Sequence, residues 1–145
     1  MKLTVYDTAA AAGQAAAEAA ADTLRDAIRD RGHAVFVAAT GNSQLDFLAH
    51  LTTAPGIDWR RTTMFHLDEY IGIPADHPAS FRRYLTERFL GRVPVGTVHL
   101  VAGDAPDIAA ELARLNGLIA ATAVDGYSRS ARGRTSRTCS ASRTA

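Results

Sequence analysis

The sequence has little of what secreted and membrane proteins need. Its single cysteine, Cys139, cannot form a disulfide within the chain, so nothing indicates an oxidising compartment. No run of 18 apolar residues is present, which gives no reason to expect a membrane span. The segment Met1–Val5 has none of the features of a signal peptide. We therefore expect a cytoplasmic protein with one domain of ordinary size.

Acidic residues are missing from the last twenty positions. All fifteen Asp and Glu lie in residues 1–125 with eleven Lys and Arg, whereas residues 126–145 carry five arginines and no acid. This last segment has almost no apolar content and no periodicity, which predicts a disordered tail. An arginine-rich tail also suggests nucleic acid, but its single aromatic residue, Tyr127, offers little for base stacking. We expect no nucleic-acid partner.

Apolar runs alternate with helical stretches through residues 1–125. The predicted strands are Leu3–Tyr6, Ala34–Ala39, Thr62–Leu67 and Val98–Val101. The predicted helices run from Asp7 or Thr8 to about Arg31, then over Gln44–Leu51, Ala79–Leu90 and Ile108–Ala121. This alternation predicts an α/β fold, an open and mostly parallel sheet with helices on both faces, as in Rossmann-like proteins.

The second strand and the first helix are the clearest elements. Ala34–Ala39 is an uninterrupted apolar run, typical of a strand buried on both faces of a parallel sheet. The first helix is dominated by alanine, which loses no side-chain entropy on becoming helical. Leu24 and Ile28, four residues apart, mark its inward face. Gly32 follows its last turn and can take the left-handed conformation of a C-cap.

The first candidate site is the loop Thr40–Ser43, between a predicted strand and a helix. Ligands of open α/β sheets bind at the carboxyl ends of strands. Backbone N–H groups at the helix start, with the hydroxyls of Thr40 and Ser43, could hold a phosphate. The alternative is that Asn42 or Ser43 only caps the helix.

The second candidate is Phe65–Pro74, where Asp68 and Glu69 end the next strand. Two adjacent carboxylates in an apolar setting are candidates for general acid–base catalysis, since mutual repulsion and burial would raise the pKa of a carboxylate. The alternative is that Asp68 begins a turn and Glu69 is solvated. His66, His77 and His99 lack the paired spacing of metal ligands, and we expect no metal.

Together these stretches resemble the family of glucosamine-6-phosphate deaminases and 6-phosphogluconolactonases. The resemblance covers residues 1–125. Val37–Ser43 is similar to the phosphate loop, Phe65–Phe81 to the most diagnostic segment, and Leu100–Asp107 to a third stretch. The lactonases typically carry Asp-Glu-Arg where this sequence has Asp-Glu-Tyr, so Tyr70 favours the deaminase branch.

The resemblance implies conversion of glucosamine 6-phosphate to fructose 6-phosphate and ammonia, with no cofactor. Asp68 matches the carboxylate that moves the proton between C2 and C1, with Glu69 beside it. Thr40, Gly41, Asn42 and Ser43 match the loop that contacts the phosphate. The expected partner is therefore a small sugar phosphate, and the intact family member is expected to be a homo-oligomer. A 6-phosphogluconolactonase and a non-catalytic sugar-phosphate-binding domain are the alternatives.

Beyond Asp125 the sequence departs from the family. Members continue with a strand and a Gly-x-Gly-x-x-Gly-His segment whose histidine opens the sugar ring. Back-translation of Gly126–Ser136, read two nucleotides later, permits Val-Leu-Ala-Val-Gly-Glu-Gly-x-His-Leu-Ala, which resembles that segment. We therefore hypothesise a frameshift near Asp125. It would leave the sheet incomplete on its C-terminal side and the chain, as it stands, inactive.

Overall fold

The computed structural model describes residues 4–127. The helices in this part of the chain are α1 (Ala9–Arg31), α2 (Leu45–Thr53), α3 (Phe81–Leu85) and α4 (Ile108–Ala120). The strands are β1 (Ala34–Ala38), β2 (Thr62–His66), β3 (Thr97–His99) and β4 (Gly126–Tyr127). A π-helical turn, Thr86–Leu90, extends α3. Among these helices none combines the length and the apolar character needed to cross a bilayer.

The four strands form one parallel sheet in the order β3-β2-β1-β4. In the central pair, Ala34 lies opposite Thr62 and Ala38 lies opposite His66. Parallel neighbours need crossover connections, and α2, α3 and α4 each lie in such a connection. The α/β fold with a parallel sheet is therefore confirmed.

Both faces of β1 are buried, as the uninterrupted apolar run predicted. Phe36 lies in the larger core cluster, which α1, α2 and α3 share. Val35 and Val37 point to the opposite face, where they pack with Phe65 of β2 and with Leu118 of α4. Helices therefore cover both faces of the sheet, which is the arrangement that the sequence predicted.

Three aromatic rings form the centre of the larger core. The rings of Phe36, Trp59 and Phe89 meet edge to face, with centroids 5.3 to 6.2 Å apart. This arrangement sets the positive edge of one ring against the negative face of another. It fixes α3 and its π-helical extension against β1, and so fixes the start of α3 relative to the sheet.

Helix α1 begins and ends as its sequence predicted. The hydroxyl of Thr8 accepts the N–H of Ala11 at 3.1 Å. At the other end Gly32 has a φ of 76° and donates its N–H to Ile28 at 2.8 Å, which is the left-handed C-cap. Leu24 is buried, and Ile28 packs half-buried against the core.

Two strand predictions differ from the structure. Leu3–Tyr6 is not a strand over residues 4–6, and Leu3 lies outside the described residues. Val5 is 83% exposed and pairs with no strand of the described residues. A strand needs such a partner for its backbone N–H and C=O groups. The strand expected at Val98–Val101 is instead Thr97–His99, because the chain turns at residues 101–103, where Gly103 donates to the carbonyl of Val101.

The boundary after Asp125 also differs from the expectation. Gly126 and Tyr127, assigned by sequence to the disordered tail, pair with Phe36 and Val37 as β4. The remaining residues of that segment, 128–145, lie outside the described part of the chain. Parallel pairing with a buried central strand therefore outweighs the polar composition that follows these two residues.

Asp125 joins three elements at the start of β1. One carboxylate oxygen accepts the N–H of Val35 at 2.9 Å, and the backbone N–H of Asp125 donates to the carbonyl of Val35 at 2.7 Å. The other carboxylate oxygen forms an ion pair with Arg31 at the end of α1. The side chain is 13% exposed, so these partners replace water around it.

Replacing Asp125 with alanine should therefore destabilise the fold. The change removes a charged acceptor and leaves the N–H of the buried Val35 without it, which costs about 1–3 kcal/mol. Urea denaturation at neutral pH measures the loss. Asp26→Ala is the control, because Asp26 pairs with Arg29 on the exposed side of α1 and its loss should cost less than about 1 kcal/mol. Equal losses in the two variants would contradict this role of Asp125.

Candidate active site

Three loops leave the sheet at its carboxyl edge, where ligands of parallel sheets bind. They are residues 39–44 after β1, residues 67–80 after β2 and residues 100–107 after β3. The N–H of Leu67 donates to the carbonyl of Ala38 at 3.0 Å. The first two loops therefore begin side by side, and the two sequence motifs lie next to each other.

The loop Thr40–Ser43 carries two polar side chains, Asn42 and Ser43, that form no hydrogen bond with any described residue. Neither Asn42 nor Ser43 caps a helix: the cap positions are Gly41 and Gln44, and neither makes a side-chain cap hydrogen bond. The interpretation of this loop as a simple cap is therefore wrong. The side chains of Asn42 and Ser43 are exposed. Among residues 4–127 they have no hydrogen-bond partner, so they are available to a ligand.

The backbone of this loop is fixed by a hydrogen bond from a side chain of α3. Gly41 has a φ of 110°, a conformation that favours glycine, and a Cβ there would meet no atom within 4 Å. Its carbonyl accepts the hydroxyl of Tyr84 at 3.0 Å and the N–H of Gln44 at 3.0 Å. Glycine is therefore favoured here by its backbone angle, and a side chain of α3 ties the loop down.

The two adjacent carboxylates of the second motif have opposite surroundings. Asp68 is exposed, and among the described residues no donor is bonded to it. The side chain of Glu69 is 0% exposed. Four donors reach its oxygens at 2.8 to 3.0 Å: the hydroxyl of Ser80 and the backbone N–H groups of Tyr70, Phe81 and Arg82.

The pKa of Glu69 lies below its usual value. Burial is the largest single influence and raises it, but the hydrogen bonds from Phe81, Arg82, Ser80 and Tyr70 together lower it by more. The prediction that burial and a neighbouring charge would raise a carboxylate pKa is thus wrong for Glu69. The interpretation of Glu69 as solvated is wrong as well. Glu69 is an ionised anchor for the start of α3, and Asp68 is the carboxylate left facing the edge of the sheet.

Arg82 connects the loops that follow β2 and β3. Its guanidinium donates to the carbonyl of Ile73 at 2.8 Å and pairs with Asp104 at 2.8 Å. A third nitrogen lies 3.5 Å from Glu69. The hydrogen bond from Arg82 to Asp104 lowers the pKa of the Asp104 carboxyl group. Sequence reasoning missed Arg82, because nothing in the local pattern distinguishes it from the exposed Arg83 beside it.

Gly103 allows these two loops to touch. A Cβ on Gly103 would overlap the carbonyl oxygen of Tyr70 and lie 3.0 Å from the side chain of Glu69. The carbonyl of Gly103 accepts the N–H of Gly72 at 2.7 Å. The third loop therefore supports the second from directly beneath Glu69 and Tyr70.

His66 is the last residue of β2 and is 5% exposed. Within residues 4–127 neither of its ring nitrogens has a hydrogen-bond partner. Burial, the largest influence, lowers the pKa of His66; Glu69 and Asp68 oppose this, and Arg82 adds to it. The imidazole is therefore neutral near pH 7. Sequence reasoning considered His66 only for metal binding, which it did not expect.

The other two histidines considered for metal binding have local partners. His77 accepts the N–H of Ala79 at 3.1 Å, and His99 stacks on Phe65 with ring centroids 4.7 Å apart. In the described part of the chain, no three His, Cys, Asp or Glu side chains are grouped so that they could hold a metal ion.

The fold and these motifs define a family. The model of the glucosamine-6-phosphate isomerases/6-phosphogluconolactonase family matches residues 7–131. The match covers most of the chain, which therefore belongs to this family.

Curated relatives favour one branch of the family. A glucosamine-6-phosphate deaminase of Exiguobacterium sp. is 37% identical over 87 residues, 60% of this chain and 34% of the relative. A glucosamine-6-phosphate deaminase of Arthrobacter sp. is 42% identical over 82 residues, 53% of this chain and 32% of the relative. The matched region spans about a third of the length of these relatives.

Solved structures show the same fold in both branches. A monomeric glucosamine-6-phosphate deaminase matches with a TM-score of 0.73 and 26% identity, over 83% of this chain and 51% of the other. A 6-phosphogluconolactonase from Shewanella baltica matches with a TM-score of 0.66 and 27% identity, over 79% of this chain and 51% of the other. The backbone alone therefore does not separate deaminase from lactonase.

Replacing Glu69 with glutamine tests its role as an anchor. A glutamine cannot accept four donors as a carboxylate does, so we expect a loss of about 2–3 kcal/mol at pH 7. Because the pKa of Glu69 is lowered by folding, its contribution is present above the unfolded value of about 4.3 and is lost as the pH falls below it. The variant should therefore lose less stability than wild type on acidification from pH 5 to pH 3.

Urea denaturation across this pH range measures the effect. Glu87→Gln is the matched control, since Glu87 pairs with Arg83 on the exposed side of α3 and should contribute less than about 1 kcal/mol. If Glu69→Gln were as stable as Glu87→Gln at pH 7, the anchor role would be wrong.

Replacing Gly103 with alanine should displace the Glu69–Tyr70 loop. The added methyl meets backbone that cannot move freely, and such overpacking costs about 1–3 kcal/mol. Gly117→Ala is the matched control: its Cβ would meet no atom within 4 Å on α4, and alanine there should add about 0.5–1 kcal/mol. Thermal unfolding of both variants provides the measurement. A stabilised Gly103→Ala protein would show that this contact is not tight.

Proposed function

We propose that this chain carries the proton-transfer and phosphate-binding parts of a glucosamine-6-phosphate deaminase. The reaction is the conversion of glucosamine 6-phosphate to fructose 6-phosphate and ammonia, by aldose–ketose isomerisation and deamination. The observation that supports it most is the pairing of an exposed Asp68 with the available polar groups of Thr40–Ser43, on neighbouring strand ends. The deaminase names of the curated relatives add to it.

Asp68 is the proposed base. Aldose–ketose isomerisation moves one proton from C2 to C1, and a single carboxylate placed over both carbons can remove and return it. Glu69 is engaged with four donors inside the protein and cannot do this. Its part is to fix the backbone from which Asp68 projects.

Thr40–Ser43 is the proposed phosphate loop. The side chains of Asn42 and Ser43 and the backbone at the start of α2 offer neutral donors to phosphate oxygens. Adjacent strands lie about 4.8 Å apart, so a hexose phosphate is long enough to reach from this loop to Asp68. The carboxylate would then face C1 and C2 while the phosphate stays on the loop.

A 6-phosphogluconolactonase is the second candidate, and the structural relatives from that branch are its support. Tyr70, where the lactonases typically carry arginine, and the curated deaminases speak against it. No described residue is assigned to ring opening. Proton exchange at C2 is therefore a more direct readout for this chain than the overall release of ammonia.

Two substitutions test the proposal in the 145-residue chain. The hypothesised loss of the second half removes ring opening and ammonia release, but in D₂O the wild type should still exchange the C2 proton of the small open-chain fraction of glucosamine 6-phosphate, measured by NMR. Asp68→Asn should slow this exchange by about 10²-fold or more, with binding changed only slightly. Ser43→Ala should weaken binding of glucosamine 6-phosphate but not of free glucosamine, as titration calorimetry would show.

Asp76→Asn is the matched control, because Asp76 is an exposed carboxylate in the same loop as Asp68. It should leave both exchange and binding unchanged. Equal binding of glucosamine and its 6-phosphate would overturn the phosphate loop, and unaltered exchange in Asp68→Asn would overturn the base. Hydrolysis of 6-phosphogluconolactone without C2 exchange would establish the second candidate instead.

A further inference from the structure

A buried imidazole stands two residues before the proposed base, and in the described part of the chain its ring nitrogens have no hydrogen-bond partner. His66 is 5% exposed, and neither ring nitrogen is hydrogen-bonded within residues 4–127. Burying a polar group without a partner is unfavourable, so each such group in a native protein requires an explanation. Leucine or methionine could fill the same apolar position without this cost.

The course of the strand brings His66 and Asp68 to one side of the sheet. Pairing continues one residue beyond β2, since Leu67 donates to the carbonyl of Ala38. In an extended strand, side chains two residues apart point to the same face and are separated by about 6.6 Å of rise. Asp68 also acts electrostatically on the ring of His66, so a rotamer change of the exposed Asp68 can bring the two side chains together.

Three charged side chains influence the ring of His66, and one of them is a carboxylate with no hydrogen-bond donor among the described residues. They are Glu69, Asp68 and Arg82. Glu69 is saturated by four donors, and Arg82 is bonded to Ile73 and Asp104. In the described region Asp68 alone of the two carboxylates lacks a donor. A neutral imidazole has one N–H to give and carries no charge that would weaken a base.

We propose that His66 is a positioning residue for Asp68: with an amino-sugar phosphate in the site, a ring N–H of His66 donates to the Asp68 carboxylate and holds it over C1 and C2. This inference depends on the proposed function. A bound sugar excludes water from the exposed Asp68, and in the drier site the hydrogen bond from His66 becomes stronger. Asp68 remains the group that moves the proton.

The spectroscopic test uses the 145-residue chain labelled with ¹⁵N in its histidine rings and backbone. Addition of glucosamine 6-phosphate should shift the ring N–H of His66 downfield and slow its exchange with water. The same change should be absent in Asp68→Ala and on addition of inorganic phosphate. His50, exposed on α2, is the internal control and should not respond.

The NMR shifts of the backbone amides of Gly41 and Ser43 distinguish the proposed function from the positioning role of His66. If they shift while the His66 ring is unchanged, or if the ring is already hydrogen-bonded in the free chain, the sugar site stands and the positioning role is overturned. If no amide in Thr40–Ser43 shifts at any ligand concentration, the proposed function fails, and the role of His66 fails with it.

Substitution of His66 gives a second readout. His66→Leu removes an unpaired polar group and should be at least as stable as wild type, yet its C2 exchange should be about tenfold slower or more, because a misplaced base is inefficient. His66→Gln keeps an N–H donor and should recover much of the exchange. A purely structural role predicts the opposite, with stability lost in His66→Leu and exchange per folded molecule unchanged.

Discussion

The site depends on the burial of one carboxylate. Glu69 accepts the hydroxyl of Ser80 and three backbone N–H groups, and so fixes where the loop after β2 meets the start of α3. Arg82, in the first turn of that helix, then extends the connection to Asp104 after β3. Together with the backbone contact between Gly72 and Gly103, this anchor holds the loops after β2 and β3 in one arrangement. The position of Asp68 follows from that of its neighbour.

The adjacent carboxylates of Asp68 and Glu69 differ in burial and in hydrogen bonding. A buried carboxylate is stable only when donors replace its lost water, and those donors lower the pKa of Glu69. A group held ionised in this way is a poor proton shuttle. Asp68, one residue earlier in the chain, is exposed and has no such partners among the described residues. Burial and the number of donors, rather than residue type, separate the surroundings of the two carboxylates.

The family contains two kinds of enzyme, deaminases and 6-phosphogluconolactonases, that share one fold. Deaminase and lactonase structures both match this chain at similar TM-scores, so the sheet and helices provide a platform for sugar phosphates rather than a particular reaction. The matched half of each of these structures therefore does not by itself distinguish the two reactions. Tyr70, which stacks on Phe81 with ring centroids 4.8 Å apart, occupies the position where the lactonases typically carry arginine.

The sequence by itself determined the parallel α/β class, helix α1 and strand β1, because uninterrupted apolar runs and alanine-rich stretches have few alternative structures. It also placed both motifs at strand ends. It could not determine that residues 4–6 pair with no strand of the described chain, since pairing is a property of neighbours distant in sequence. Only the tertiary structure decided that the side chain of Glu69 is buried while Asp68 is exposed, and that His66 is enclosed with no hydrogen-bond partner among residues 4–127. Burial and hydrogen bonding at these residues are set by groups 11 to 13 positions away, as for Glu69, which no local pattern encodes.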